Sequence, residues 1–403
     1  MSNRVLRVPR VVSSITVLLV AACGGGGDPP GAGRRDALRA IVDRDAVWFD
    51  ASSVPEPLSA AGLAGARVLL LGETHYVQEH QDFLVRLLPS LHAAGFRVLM
   101  QEDMHIAAWT GEEYVMQRSD ELPREEAALN QTLLEGLRAF NAPLAEADRI
   151  HYAGFDMNHW RIFSAFARRF QDRFGPVPEL DSLLATTPDS AEYEAALAQL
   201  PAKLGADEAS LTATLGAARY AQLQGLVEVE TRSLPLRRAM DGAVREHIIE
   251  DLVAAVLAEA SPAAVAINTG AFHAQKERWS GPEHEPFGAW LVRTPEQYGG
   301  DPAALRSVAF LGAKGETQAH FYDTTTTHFD VTVDASEDDL ARILAEQAAG
   351  RYAWLPFSDA MFANQGIAIT WGDAPVVTPP AAQYDALVQY PEVSVLRSLS
   401  LVR

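Results

Sequence analysis

The sequence predicts an α/β fold: a mainly parallel sheet with flanking helices, and a helical insertion over the cleft at the carboxyl ends of the strands. Three observations predict it. Short apolar runs are followed by helical patterning, the first three of them end in an acid or imidazole, and one long Ala-, Leu- and Glu-rich stretch interrupts the alternation.

The first run is 67–71 (RVLLL), after which Phe83, Leu84, Leu87, Leu88 and Leu91 recur at helical spacing before Gly95. That spacing predicts an amphipathic crossover helix. The second and third runs are 97–100 (RVLM) and 151–155 (HYAGF). Residues 163–260 then carry Pro176, Pro178, Pro188, Pro201 and Pro235, which break the stretch into several helices, too long together for one crossover. The fourth and fifth runs are 264–268 (AVAIN) and 307–311 (SVAFL). Alternation of this kind implies βαβ units. Beyond Phe329 the pattern predicts a few strands, one helix near 338–349 and a closing strand around 393–396. No internal repeat or second linker divides 37–403, which reads as one domain.

The first 22 residues carry Arg4, Arg7 and Arg10 without an acid, then an apolar run too short to span a bilayer, the pattern of a secretory signal. The run ends Leu19-Val20-Ala21-Ala22-Cys23, which resembles a bacterial lipobox with Cys23 as the lipidated residue. Residues 24–33 (GGGGDPPGAG) have nothing large to pack and form a tether reaching about 17 Å. The expectation is an exported lipoprotein, with 23–36 as lipidated cysteine and tether, held at a membrane by lipid alone. Gly24 after the cysteine fits outer-membrane sorting, facing the periplasm or cell surface.

Charge and cysteine usage exclude much else. The 403 residues carry 33 basic and 53 acidic side chains, a net charge of −20, which repels phosphate backbones and excludes nucleic acid as a partner. With Cys23 the single cysteine, no disulfide, thiolate ligand or cysteine nucleophile remains. The chemistry falls to His, carboxylates and hydroxyls.

The strand ends supply them. The first run delivers Gly72-Glu73-Thr74-His75, the second Glu102 and Asp103, the third Asp156, and His273 follows the fourth. In parallel sheets the crevice outside the carboxyl ends is where ligands bind. A cluster of Glu73, His75, Glu102, Asp156 and His273 has two uses. One is a divalent metal site on Glu73, His75, Glu102 and His273; the other is metal-free water activation by a His whose tautomer a carboxylate fixes. Both lead to hydrolysis. Glu79 and His80 fall in the first turn of the following helix, as cleft lining or plain caps. Trp109, Trp160 and Trp279 are pocket walls or core packing, and of Arg237 and Arg238 at most one faces the cleft. His105, His151, His159 and His247 read as surface or satisfied core imidazoles, and the 324–327 threonine run beside His328 has no evident chemistry. No zincin helix, nucleophile elbow or Walker loop appears.

These blocks together resemble the erythromycin esterase family, within the broader group that holds ChaN-like haem-binding lipoproteins. Leu71-Gly-Glu-Thr-His75 with Glu79 resembles its opening motif, and 95–102 (GFRVLMQE) its second strand. The 137–141 (LRAFN) and 152–157 (YAGFDM) blocks, Arg238-Ala-Met240, Asn268 with His273, 287–291 (FGAWL) with Tyr298-Gly299, and 384–388 (YDALV) as closing strand continue it. The resemblance implies a hydrolase needing no cofactor, in which His75 is the general base on water attacking a small-molecule ester or lactone. Glu73 and Glu102 are then its partners, His273 the second imidazole, and Glu79, Asp156, Tyr76 and Arg238 supporting residues. Known members open the lactone ring of macrolides. The sequence departs in its shorter Gly-Glu-x-His spacing and in Ile267, which stands where a further His is expected. The shorter spacing keeps two alternatives open: a haem-binding lipoprotein with Tyr76 as axial ligand, and a Tiki-like metal-dependent peptidase.

Overall fold

The structure, a computed structural model, describes residues 32–398 apart from 123, 160, 240, 279–283, 321–327 and 372–373. The leader, Cys23, the tether to residue 31, Trp160, Met240, Trp279 and the 324–327 run lie outside the described residues.

The described strands are β1 (Val47–Phe49), β2 (Val68–Glu73), β3 (Phe96–Met104), β4 (His151–Asp156), β5 (Ala264–Gly270), β6 (Leu305–Gly312), β7 (Lys314–His320), β8 (His328–Asp334), β9 (Tyr352–Pro356), β10 (Ile367–Trp371), β11 (Ala374–Thr378) and β12 (Ala386–Tyr390). Eight of them form one sheet in the order β1-β9-β12-β6-β2-β5-β3-β4. From β12 to β4 every pairing is parallel, and only β9 runs against its neighbours. All five expected apolar runs are strands of this sheet. β7–β8 and β10–β11 are separate antiparallel hairpins.

The helices are α1 (Ala32–Asp45), α2 (Gln78–Ala93), α3 (His105–Val115), α4 (Arg124–Asn141), α5 (Phe163–Phe174), α6 (Asp181–Leu184), α7 (Ala191–Ala206), α8 (Glu208–Leu215), α9 (Ala217–Ala239), α10 (Gly242–Ala260), α11 (Phe287–Arg293) and α12 (Asp339–Ala348), with a few shorter turns. Because side chains alternate along a strand, Leu69 and Leu71 of β2 pack one way and Val68 and Leu70 the other. The first pair meets Phe83, Leu84, Leu87, Leu88 and Leu91 of α2 and Leu133, Leu134 and Leu137 of α4. The second meets Ile249, Val253 and Leu257 of α10 with Phe287 and Leu291 of α11. A parallel sheet covered on both faces needs strands apolar on both sides, which is why β2 and β5 are buried throughout.

α5 to α9 build a satellite core of their own, in which Phe163, Phe166, Phe170, Leu197 and Leu223 pack on Ile106 and Trp109 of α3. Trp109 is therefore packing: its ring meets Phe170 and Phe174 at 5.6 and 5.5 Å. The insertion expected over 163–260 ends before α10, whose apolar face belongs to the sheet and whose start is capped by Asp241 accepting from Ala243 and Val244. The closing strand is β12 at the 384–388 block, not 393–396. Val393 and Val395 make only isolated bridges, to Gly315 and Val77. Among the described residues no helix is long and apolar enough to cross a membrane.

Gly72 sits where β2 passes under the turn after β5: a Cβ there would stand 2.7 Å from Ala274 Cβ and 3.1 Å from Ala271 Cα. Gly72→Ala is expected to cost about 1–3 kcal/mol by overpacking, read as a lower denaturation midpoint in urea; an unchanged midpoint would mean that the turn gives way freely.

Candidate active site

β2 ends at buried Glu73, and the chain then turns outward to present His75. The next residue, Tyr76, sits at φ 64°, a conformation non-glycine residues adopt only when the surroundings enforce it. Here they do. Leu396 donates its N–H to the Tyr76 carbonyl at 3.1 Å, Gln78 donates to the Ser394 carbonyl at 2.9 Å, and Ser394 donates twice to Glu79, each at 2.7 Å. Thr317 of β7 donates its hydroxyl to the His75 carbonyl. The C-terminal segment is thus laced to the turn that carries His75.

His75 Nδ1 lies 2.9 Å from Glu73 Oε1, so Nδ1–H donates to the carboxylate and Nε2 is turned toward the cleft. Nε2 stands 3.9 Å from Glu102 Oε1, too far for a direct bond. Gly270 makes room for the ring: a Cβ there would approach His75 Nε2 to 2.8 Å and push the imidazole aside.

Glu102 is the hub. Its Oε2 accepts from the Thr269 hydroxyl at 2.8 Å and the Gly270 N–H at 2.6 Å, and its Oε1 accepts from Arg245 Nη2 at 2.6 Å. Arg245 also donates to both oxygens of Asp156, at 3.0 and 2.6 Å, and its Nη1 lies 3.3 Å from His273 Nε2. Asp156 is held further by His159 Nε2 at 2.6 Å. His273 Nε2 is 3.4 Å from Glu102, and its Nδ1 is 2.7 Å from Glu246 Oε1. That last pair is not aligned as a hydrogen bond, so its attraction is between charges.

The electrostatics follow from this packing. Burial opposes a proton on His75, but Glu102 and Glu73 outweigh it and raise the imidazole to about 9. The ring is 45% exposed, so water weakens both the opposing burial and the pull of the carboxylates. His273 is pushed up to about 10, because Glu102 and Glu246 overcome its burial. Burial would raise Glu102, yet His273, His75 and Arg245 hold it well below the usual carboxylate range. Burial would likewise raise Asp156, yet Arg245 and His159 hold it low.

The opposite side of the cleft is built mainly of amides, with Asp103 its carboxylate. His80 Nε2 meets Asn268 Oδ1 at 2.6 Å, while Asn268 Nδ2 donates to Gln101 at 2.8 Å. Asn268 is therefore the acceptor, His80 Nε2 carries the proton, and Nδ1 accepts from Tyr390 at 3.1 Å. Burial keeps His80 below its ordinary value and neutral.

A metal does not fit the expected set of Glu73, His75, Glu102 and His273. Among the described residues no three His, Cys, Asp or Glu converge as ligands. The place a cation would take between Glu102 and Asp156 is held by the Arg245 guanidinium.

Of the expected residues, Glu73, His75, Glu102, Asp156 and His273 come together, and Tyr76 lines the same cleft. Two do not join them. Glu79 faces the C-terminal segment, and Arg238 is a surface residue paired with Glu194 at 2.9 Å. Its neighbour Arg237 is buried against Glu230 and Asp189. Sequence reasoning missed Arg245, Glu246 and the part played by His159. The available signal was positional: α10 leads into β5, so its first turn shares the edge where the strands end.

The chain matches no protein-family model, and no curated protein matches it either. Its fold is similar to solved structures. Erythromycin esterase EreC, a point mutant in its open conformation, matches with a TM-score of 0.62 and 17% identity over 83% of this chain and 92% of that one. A Bacillus cereus protein matches with a TM-score of 0.65 and 15% identity over 90% and 98%. A succinoglycan biosynthesis protein matches with 0.64 and 13% over 91% and 100%. The mainly parallel eight-stranded sheet with flanking helices is an α/β fold like that of erythromycin esterase.

Removing Arg245 leaves buried Glu102 with only the two imidazoles as counter-charge, and buried Asp156 with only His159. Arg245→Met is expected to cost about 3–5 kcal/mol at neutral pH. Carboxylates held low stabilise the fold above their unfolded pKa and lose that contribution as pH falls. The gap between wild-type and variant urea midpoints should therefore begin to narrow below about pH 4 and go on narrowing as pH falls further; equal midpoints at pH 7 would overturn the role given to Arg245.

Proposed function

We propose that this chain is a hydrolase in which His75 draws a proton from water as the water attacks an ester or lactone carbonyl. One observation carries the reading: the Glu73–His75 pair directs Nε2 into a cleft where Glu102, 3.9 Å away, leaves room for a bridging water. The water oxygen bonds to the carbonyl carbon, its proton passes to Nε2, and the same proton then goes to the departing alkoxide, so the imidazole returns to its starting state. His273 and Arg245, set behind Glu102, add positive charge close to the cleft, which favours an anionic intermediate there. The likeness of fold to erythromycin esterase supports the same reaction class. The cleft, about 60 Å³, takes a carbonyl group and a water and is small for a porphyrin, which favours an ester. The leader and lipobox support export and anchorage through Cys23; Cys23→Ser is expected to move the chain from the membrane to the soluble fraction.

A base must be unprotonated to act. With His75 raised to about 9, kcat/KM should climb about tenfold per pH unit from pH 6 and level off near pH 9. Glu73→Gln removes one of the charges that raise His75, so the limb should shift to lower pH while the plateau rate falls. His75→Ala should retain the fold and lose about 10²–10⁴-fold in turnover. A flat profile from pH 6 to 9, or wild-type turnover by His75→Ala, would remove His75 as the base.

A further inference from the structure

We propose that the wall of the cleft facing α2 and α4 is a hydroxyl-recognition subsite, and that the substrates are esters of polyhydroxylated alcohols such as O-acylated sugars. The inference rests on the hydrolase reading and names its substrate class. Alternation along β3 turns Glu102 toward α10, so Gln101 and Asp103 turn to the other face. There Gln81 of α2 and Asn130 of α4, 8% and 4% exposed, line the same cleft as His75. Gln81 Nε2 donates to the Leu129 carbonyl, but Gln81 Oε1 has no donor. Asn130 Nδ2 reaches Asp103 Oδ2 only at 3.4 Å, a stretched bond that a better acceptor would replace. Asp103 is fixed in place, accepting from the Tyr152 hydroxyl at 2.9 Å and the Met104 N–H at 2.8 Å.

A buried acceptor without a donor is costly, and ligand O–H groups relieve that cost. One hydroxyl can donate to Gln81 Oε1 while accepting from Asn130 Nδ2, and its neighbour can donate to Asp103. A hydrocarbon chain satisfies none of these groups. On this wall Asp103 disfavours a phosphate or carboxylate, which favours neutral hydroxyls.

The test compares kcat/KM of the full chain for glucose 6-acetate with that for ethyl acetate, in wild type, Gln81→Met and Asn130→Asp. The glucose-to-ethyl ratio should fall at least about tenfold in each variant. Asn130→Asp keeps the side-chain shape should Gln81→Met fail to fold, and thermal unfolding checks both. Binding of methyl glucoside, followed by saturation-transfer NMR, does not depend on turnover. Gln81-dependent binding without hydrolysis of either ester would uphold the subsite and defeat the hydrolase. Hydrolysis with an unaltered ratio in a folded variant would defeat the subsite alone. Gln81-dependent cleavage of an acetylated dipeptide in preference to the sugar ester would overturn the polyol assignment.

Discussion

One guanidinium holds the functional edge of this molecule together. Taking Glu102 and Asp156 out of water would be prohibitive without a counter-charge, and Arg245 supplies it to both at 2.6 Å. The bond also has a mechanical side. Glu102 belongs to β3, Asp156 ends β4 and Arg245 lies in the first turns of α10, so a single side chain fixes how helix and strands meet. Glu102, pinned in turn by Thr269 and Gly270 of β5, then sets the field felt by both His75 and His273.

The two-residue period of a strand divides the cleft. Successive residues of β3 point to opposite faces, so Gln101, Glu102 and Asp103 serve different layers although they are adjacent in sequence. Toward α10, Glu102 and Asp156 of the cleft meet Arg245, with His273 and Glu246 behind them, in a charged layer. The α2 and α4 face gathers His80, Gln81, Asn130 and Asn268 into an amide-rich half. A charged layer on one side and an amide-rich layer on the other is a division that the backbone itself imposes.

Legibility in the sequence followed the same physics. Strands buried on both faces announce themselves as continuous apolar runs, so β2 to β6 were readable, and with them the acids at their carboxyl ends. β1, β9 and the β10–β11 hairpin are three to five residues long and lie at edges or apart, where local pattern is weak. Arg245 was hidden because nothing local marks it: its meaning comes from α10 ending at β5, a long-range fact. Arg238 attracted attention through its place in a motif, yet it lies on the exposed side of α9. His159 looked like a satisfied core imidazole and is one, but what satisfies it is Asp156.

The lacing of residues 394–397 to the turn after β2 has a consequence for folding. The bonds from Ser394 to Glu79 join residues 315 positions apart, and contacts of such span form slowly because chain entropy is given up before they are made. Bonds from Leu396 and Thr317 meet the same turn. The aim of His75 therefore depends on distant parts of the chain having met, and not on its local sequence alone.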